Sequence, residues 1–121
     1  MKVPFLELKA TYDELKPEMD AAYHRVMDSG WYIFGREIEA FESEYAQSVG
    51  VRHYIGVGNG LEALQLSLQA AGIGPGDEVI VPSHSYIASW LAVSQVGATL
   101  VPSEPVDGEY ALNPANVESC V

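Results

Sequence analysis

The run Ile55-Gly56-Val57-Gly58-Asn59-Gly60-Leu61-Glu62-Ala63-Leu64 decides how this chain is read, because a β-rich segment passes through three glycines straight into a helical pattern. On its N-terminal side, His53-Tyr54-Ile55-Gly56-Val57 has the composition of a short strand. On its C-terminal side Leu61, Leu64 and Leu68, with Ala63 and Ala71 beside them, recur at helical spacing, and Gly72 stands where that helix would be capped. A strand that turns through glycines into a helix is the repeating step of an α/β fold.

The same alternation continues downstream. Gly74-Pro75-Gly76-Asp77 is a turn leading into Glu78-Val79-Ile80-Val81-Pro82, which reads as a buried parallel strand. A helix follows from about Ser85 to Gln95, closing at Gly97, and a further strand covers Ala98 to Val101. Asn113-Pro114 supplies a capping side chain and an N1 proline for a last helix.

Upstream, Leu15, Met19, Ala22 and Val26 share one helical face that ends near Ser29-Gly30, and Pro17 either opens the regular part of that helix or kinks it. A second helix follows Gly35, with Ile38, Phe41 and Tyr45 as its stripe and Gly50 as its left-handed cap. The expected order is therefore helix, helix, then β-α-β-α-β-α, a parallel sheet covered by helices. Three strands are fewer than such sheets usually have. The expectation is an α/β chain whose residues 1–121 form an incomplete domain.

Composition narrows the function. An apolar share of 48% with 19% charged residues is that of a globular chain. Six Lys and Arg against seventeen Asp and Glu leave a formal charge of −11, a field that repels phosphate backbones and anionic lipid. Nucleic acid and membrane partners are not expected, and an anionic small ligand requires a local site of backbone donors. Cys120 is the only cysteine, so no internal disulfide forms, and His24, His53 and His84 have no chelating spacing, so no metal is expected. The first residues hold no apolar run near the roughly 18 residues of a membrane span, and a cytoplasmic protein is expected.

Helix N-termini present unpaired N–H groups and a partial positive charge, and glycine lets an anion approach the backbone. Gly58-Asn59-Gly60-Leu61 is thus a candidate phosphate site, although the same glycines would also serve a plain strand-to-helix turn. A dinucleotide fingerprint fits poorly: Gly56-x-Gly58 supplies two glycines of G-x-G-x-x-G, but Leu61 occupies the third place. Beyond the next strand, Tyr86 is placed either to stack on a planar ring or to pack a helix face with Trp90, four residues on. Asn59 and Tyr86 border one crevice if their strands lie close. Glu62, in a helix first turn, is explained by the helix dipole, and no catalytic constellation is visible.

Five pieces in register, Pro4-Phe5-Leu6-x-Leu8, Gly35 with Phe41-Glu42, Val57 to Leu64, Gly72 to Pro82 and Tyr86-Ile87-Ala88, resemble the DegT/DnrJ/StrS sugar aminotransferases over essentially the whole chain. The resemblance implies the large domain of a fold-type-I, aspartate aminotransferase-like enzyme, normally a homodimer, that uses pyridoxal 5'-phosphate. It implies that Asn59, Gly60 and Leu61 hold the cofactor phosphate through backbone N–H groups and that Tyr86 stacks on the pyridine ring. Many members have Ser-Gly-Thr where this chain has Asn59-Gly60-Leu61, so Leu61 offers only its main chain.

The substrate class implied is a nucleotide-linked keto-sugar, in particular a dTDP-3-keto-6-deoxyhexose, with an amino-acid donor, usually glutamate. In the family the Schiff-base lysine lies further along the chain, and Lys2, Lys9 and Lys16, the only lysines here, match no such motif. No catalytic residue is therefore assigned, and the chain by itself is expected to be inactive. Two other readings stay open, an NAD-binding Rossmann domain and a non-catalytic dimerisation or ligand-binding module.

Overall fold

The computed structural model describes residues 3–121, so Lys2 lies outside the described residues. It divides into two compact units, one ending at Gly56 and the other Val57–Val121.

The first unit is helical. Helix α1 (Leu8–Ser29) closes on Gly30, whose φ of 65° suits a residue without Cβ, and its N–H returns to the Met27 carbonyl. Pro17 lies inside α1 and does not open it. The turns before it are held in helix by local pairs, Lys9 with Asp13 and, across the proline, Lys16 with Asp20 at 2.6 Å. The expected stripe is present, but α1 buries no residue, and Leu15 and Met19 are exposed.

Helix α2 (Arg36–Val49) ends on Gly50, again left-handed with φ 76°. Arg25 of α1 donates from Nε and Nη2 to the two carboxylate oxygens of Glu37 at 2.9 and 3.0 Å, a fork-to-fork pair that ties α1 to α2. The connecting turn is held by its own polar groups, the Trp31 indole donating to the Phe34 carbonyl at 3.1 Å.

The segment expected as a first strand, His53 to Val57, forms no strand. Its fastenings are side-chain contacts instead of a ladder. The Gly56 N–H donates to Glu42 Oε1 at 2.8 Å, and the Tyr54 ring packs against Tyr45 and Phe41 at 4.3 and 5.7 Å between centroids. Strand-like composition makes a strand only where a neighbour supplies hydrogen-bond partners, and among the described residues this segment has none.

The second unit carries the alternation. Helix α3 (Gly60–Ala70) leads to strand β1 (Glu78–Pro82), helix α4 (Ile87–Gln95), strand β2 (Thr99–Ser103) and the short helix α5 (Pro114–Glu118). The strands β1 and β2 pair in parallel from Glu78 opposite Thr99 to Pro82 opposite Ser103, so β1-α4-β2 is a β-α-β unit. Val81, Ala92, Val93 and Val96 are its buried apolar core. Only Val81 of β1 is buried, so the expectation of a buried strand holds in part. A strand with one neighbour keeps its other edge uncovered.

The turn into β1 is built as its sequence predicts. Asp77 Oδ2 accepts from the Gly74 N–H at 2.8 Å, and Gly97, with φ 79°, leaves room for Pro75, whose Cγ would lie 3.1 Å from a Cβ there. Asn113 caps α5 by accepting from the Ala115 N–H, and Pro114 takes the first turn. Helix α4 starts two residues later than expected because Tyr86, with φ −64° and ψ 142°, is still extended. Among the described residues no helix is long and apolar enough to cross a membrane.

Candidate functional site

The start of α3 shows how the glycine-rich run is used. Asn59 is extended, with φ −165° and ψ 172°, which aims its side chain back over the first helical turn. Asn59 Oδ1 accepts from the Glu62 N–H at 3.0 Å, and the Asn59 carbonyl accepts from the Ala63 N–H at 3.1 Å. On the other side, Glu62 Oε2 accepts from the Gly58 N–H at 2.9 Å.

Between these bonded groups, the N–H groups of Asn59, Gly60 and Leu61 donate to no acceptor among the described residues. Three consecutive unpaired donors at the positive end of an 11-residue helix are groups that can donate together to an anion. They belong to the three residues that the sequence marks for phosphate. Approach is open: a Cβ on Gly60 would meet nothing within 4 Å, whereas one on Gly58 would stand 2.6 Å from Glu62 Oε2. Leu61 is half-buried, so its side chain packs and its main chain remains the donor.

Tyr86 stands at the N-cap of α4, beyond the C-terminal end of β1, and is 80% exposed. Its mount is firm. The Trp90 indole donates to the Pro82 carbonyl at 3.1 Å, pinning α4 to the end of β1, and Ser85 Oγ and Ser89 Oγ are 2.8 Å apart across the helix start. Trp90 is thus a packing residue, while Tyr86 presents its ring outward. Helices α3 and α4 pack together. With β1 they line a cleft of about 310 Å³ bounded by Leu64, Leu68, Val81, Ala92 and Val93. The structure shows no hydrogen bond or ring contact between Tyr86 and Asn59.

The nearby polar groups have structural duties. His84 packs its ring on Tyr110 at 5.7 Å, and Asp77 closes its turn. Among the described residues no three His, Cys, Asp or Glu side chains are grouped to hold a metal ion. The second bond of Glu62 is what sequence reasoning missed. The spacing Asn59-x-x-Glu62 is that of a capping box, whose carboxylate closes on the N–H of the N-cap residue; here it reaches one residue further, to Gly58.

The model of the DegT/DnrJ/EryC1/StrS aminotransferase family matches residues 13–121. The chain belongs to that family. Among its relatives, a dTDP-3-amino-3,4,6-trideoxy-alpha-D-glucose transaminase of Streptomyces venezuelae is 58% identical over 99% of this chain. The erythromycin biosynthesis sensory transduction protein EryC1 of Saccharopolyspora erythraea is 54% identical over 100% of this chain.

The fold agrees. The solved structure of S. venezuelae DesV, in complex with a ketimine intermediate, superposes with a TM-score of 0.96 at 57% identity over 99% of this chain and 32% of that one. A DegT/DnrJ/EryC1/StrS aminotransferase from Brucella abortus superposes with a TM-score of 0.91 at 35% identity over 97% of this chain and 31% of that one. This chain spans about a third of the length of the curated relatives it matches, 32% and 33% of the two named. These matches place the two helices and the β-α-β unit in the α/β fold of the aminotransferases. They give no support to the Rossmann alternative, and in the structure Leu61, at the third fingerprint position, lies inside α3.

Proposed function

We propose that this chain forms the N-terminal part of a pyridoxal 5'-phosphate-dependent aminotransferase that aminates a nucleotide-linked keto-sugar. The amino donor is an amino acid, glutamate in the first instance. The observation that carries this reading is the row of unpaired N–H groups at Asn59, Gly60 and Leu61, in a chain of an aminotransferase family whose relatives include a dTDP-amino-sugar transaminase. The residues fit the cofactor. The three donors at the start of α3 would hold the phosphate, and Tyr86, exposed at the start of α4, would supply an aromatic face for the pyridine ring. When bound, the cofactor supplies the electron sink through which an amino group passes from donor to sugar.

The sugar in this reading is a dTDP-3-keto-6-deoxyhexose, supported by the 58% identical relative named for a dTDP-linked 3-amino sugar. Lys9 and Lys16 are engaged with acids on α1, and neither is proposed as the lysine that carries the cofactor. The reading extends to a homodimeric, cytoplasmic enzyme. A face of α1 exposing Tyr12, Leu15, Met19 and Tyr23 supports association, and Cys120, the single cysteine, forms no disulfide.

Gly60→Pro tests the phosphate site. Proline suits the first helical position, the extended Asn59 before it is what proline requires, and Asn113-Pro114 is the same arrangement at α5. The variant keeps the helix and deletes one donor. Its preference for pyridoxamine 5'-phosphate over pyridoxamine, read by ligand fluorescence, is expected to fall about ten- to a hundredfold, while Gly60→Ala, which keeps the N–H, retains it. An unchanged preference in Gly60→Pro would remove the phosphate assignment.

A further inference from the structure

We propose that Glu62 is a positioning residue for the phosphate site, acting through a hydrogen bond and against its own charge. The inference rests on the phosphate reading above and deepens it. Glu62 closes both ends of the donor row. Its carboxylate takes the Gly58 N–H at 2.9 Å, and its own N–H is taken by Asn59 Oδ1 at 3.0 Å. The donors left over, Asn59, Gly60 and Leu61, are those lying between the two bonds. The bonds fix the peptide planes on either side, so the three N–H groups are held in place before any anion arrives. Preorganised donors bind more tightly because no ordering is left to be done on binding.

The charge of Glu62 argues that its value is geometric. A carboxylate one turn inside an anion receptor repels the anion, and the chain already carries −11. Beside the favourable dipole interaction that any first-turn carboxylate makes, what the acid brings to the anion site is an acceptor with the reach to return to Gly58. The glycine at 58 is part of the same device, since a Cβ there would stand 2.6 Å from Glu62 Oε2 and keep the carboxylate from closing on the N–H. Gly58 is not one of the positive-φ glycines, so its backbone alone does not demand glycine.

The experiment compares binding of pyridoxamine 5'-phosphate with pyridoxamine in the 1–121 chain. Wild type is expected to prefer the phosphorylated ligand and Gly60→Pro to lose that preference. Failure of either step removes the phosphate reading, and this inference with it, before any Glu62 variant is examined. With both steps satisfied, Glu62→Ala is expected to lower the preference about tenfold, the effect of one lost charge-assisted hydrogen bond. Glu62→Gln keeps an acceptor oxygen without the charge and is expected to match or exceed wild type. Gly58→Ala, which displaces the carboxylate while leaving its charge in the chain, is expected to fall at least as far as Glu62→Ala, and the double variant to match Glu62→Ala. Wild-type preference in Glu62→Ala and Gly58→Ala would overturn the proposal, as would a Glu62→Gln variant as weak as Glu62→Ala.

Discussion

Replacing Asn59 separates two roles that one side chain holds together. Asn59→Ala removes Oδ1, the acceptor for the Glu62 N–H at 3.0 Å, and leaves the backbone donors in place. Loss of an N-cap acceptor costs about 1 kcal/mol, and because Glu62 is exposed, water takes over the freed N–H and keeps the cost from rising further. In a domain the size of the Val57–Val121 unit, that is a fall in Tm of about 4–8 °C, read from far-UV circular dichroism melts. Asn59→Asp keeps the acceptor and adds a negative charge at a helix N-terminus, worth about 0.3–1 kcal/mol in favour of folding. Its Tm is expected at or above wild type. The same charge faces the proposed phosphate, so pyridoxamine 5'-phosphate binding should weaken more in Asn59→Asp than in Asn59→Ala, which loses only one of the two bonds flanking the donor row. Stability and affinity thus move in opposite directions in the two variants. An Asn59→Ala melt within about 1 °C of wild type, or an Asn59→Asp melt as low as that of Asn59→Ala, would refute the capping argument.

Other consequences follow from the same geometry. Gly97→Ala puts a side chain at φ 79° and 3.1 Å from Pro75 Cγ, so urea unfolding should show a loss of about 2 kcal/mol, and a loss below about 0.5 kcal/mol would contradict the packing of that turn. The hydrogen bonds from Arg25 hold the Glu37 carboxyl below its ordinary range, so the stabilisation from this pair is present above the unfolded-state value and is lost as the pH falls through the lowered one. An NMR titration of Glu37 should give a depressed midpoint that returns to the ordinary range in Arg25→Gln. Because the pair is exposed, the difference should shrink in high salt.

Much of the site was legible from local chemistry. The glycines at a helix start and an acid in its first turn were read from the sequence; the Asn59 cap and the return bond of Glu62 were not, although both act within five residues and depend on little beyond helix geometry. The caps at Gly30, Gly50 and Asn113 were readable for the same reason. Two residues had two local solutions that their neighbours in sequence do not separate. Pro17 was compatible with a helix start, yet helix-forming residues and ion pairs before it carry α1 through the proline. Tyr86 was compatible with a packed helix face, yet it caps α4 and leaves packing to Trp90.

The sequence by itself determined the alternation of helices with strands from Gly60 onward, the turn chemistry between them and the type of each residue in the phosphate row, because these follow from propensity, caps and contacts a few residues long. Tertiary structure alone decided that His53 to Val57 is not a strand, that the parallel pair β1 and β2 takes the register that sets Glu78 opposite Thr99, and that the α3 and α4 helices share one cleft on β1. A strand exists only through a neighbour's hydrogen bonds, and which neighbour arrives is a property of the folded chain and not of the segment.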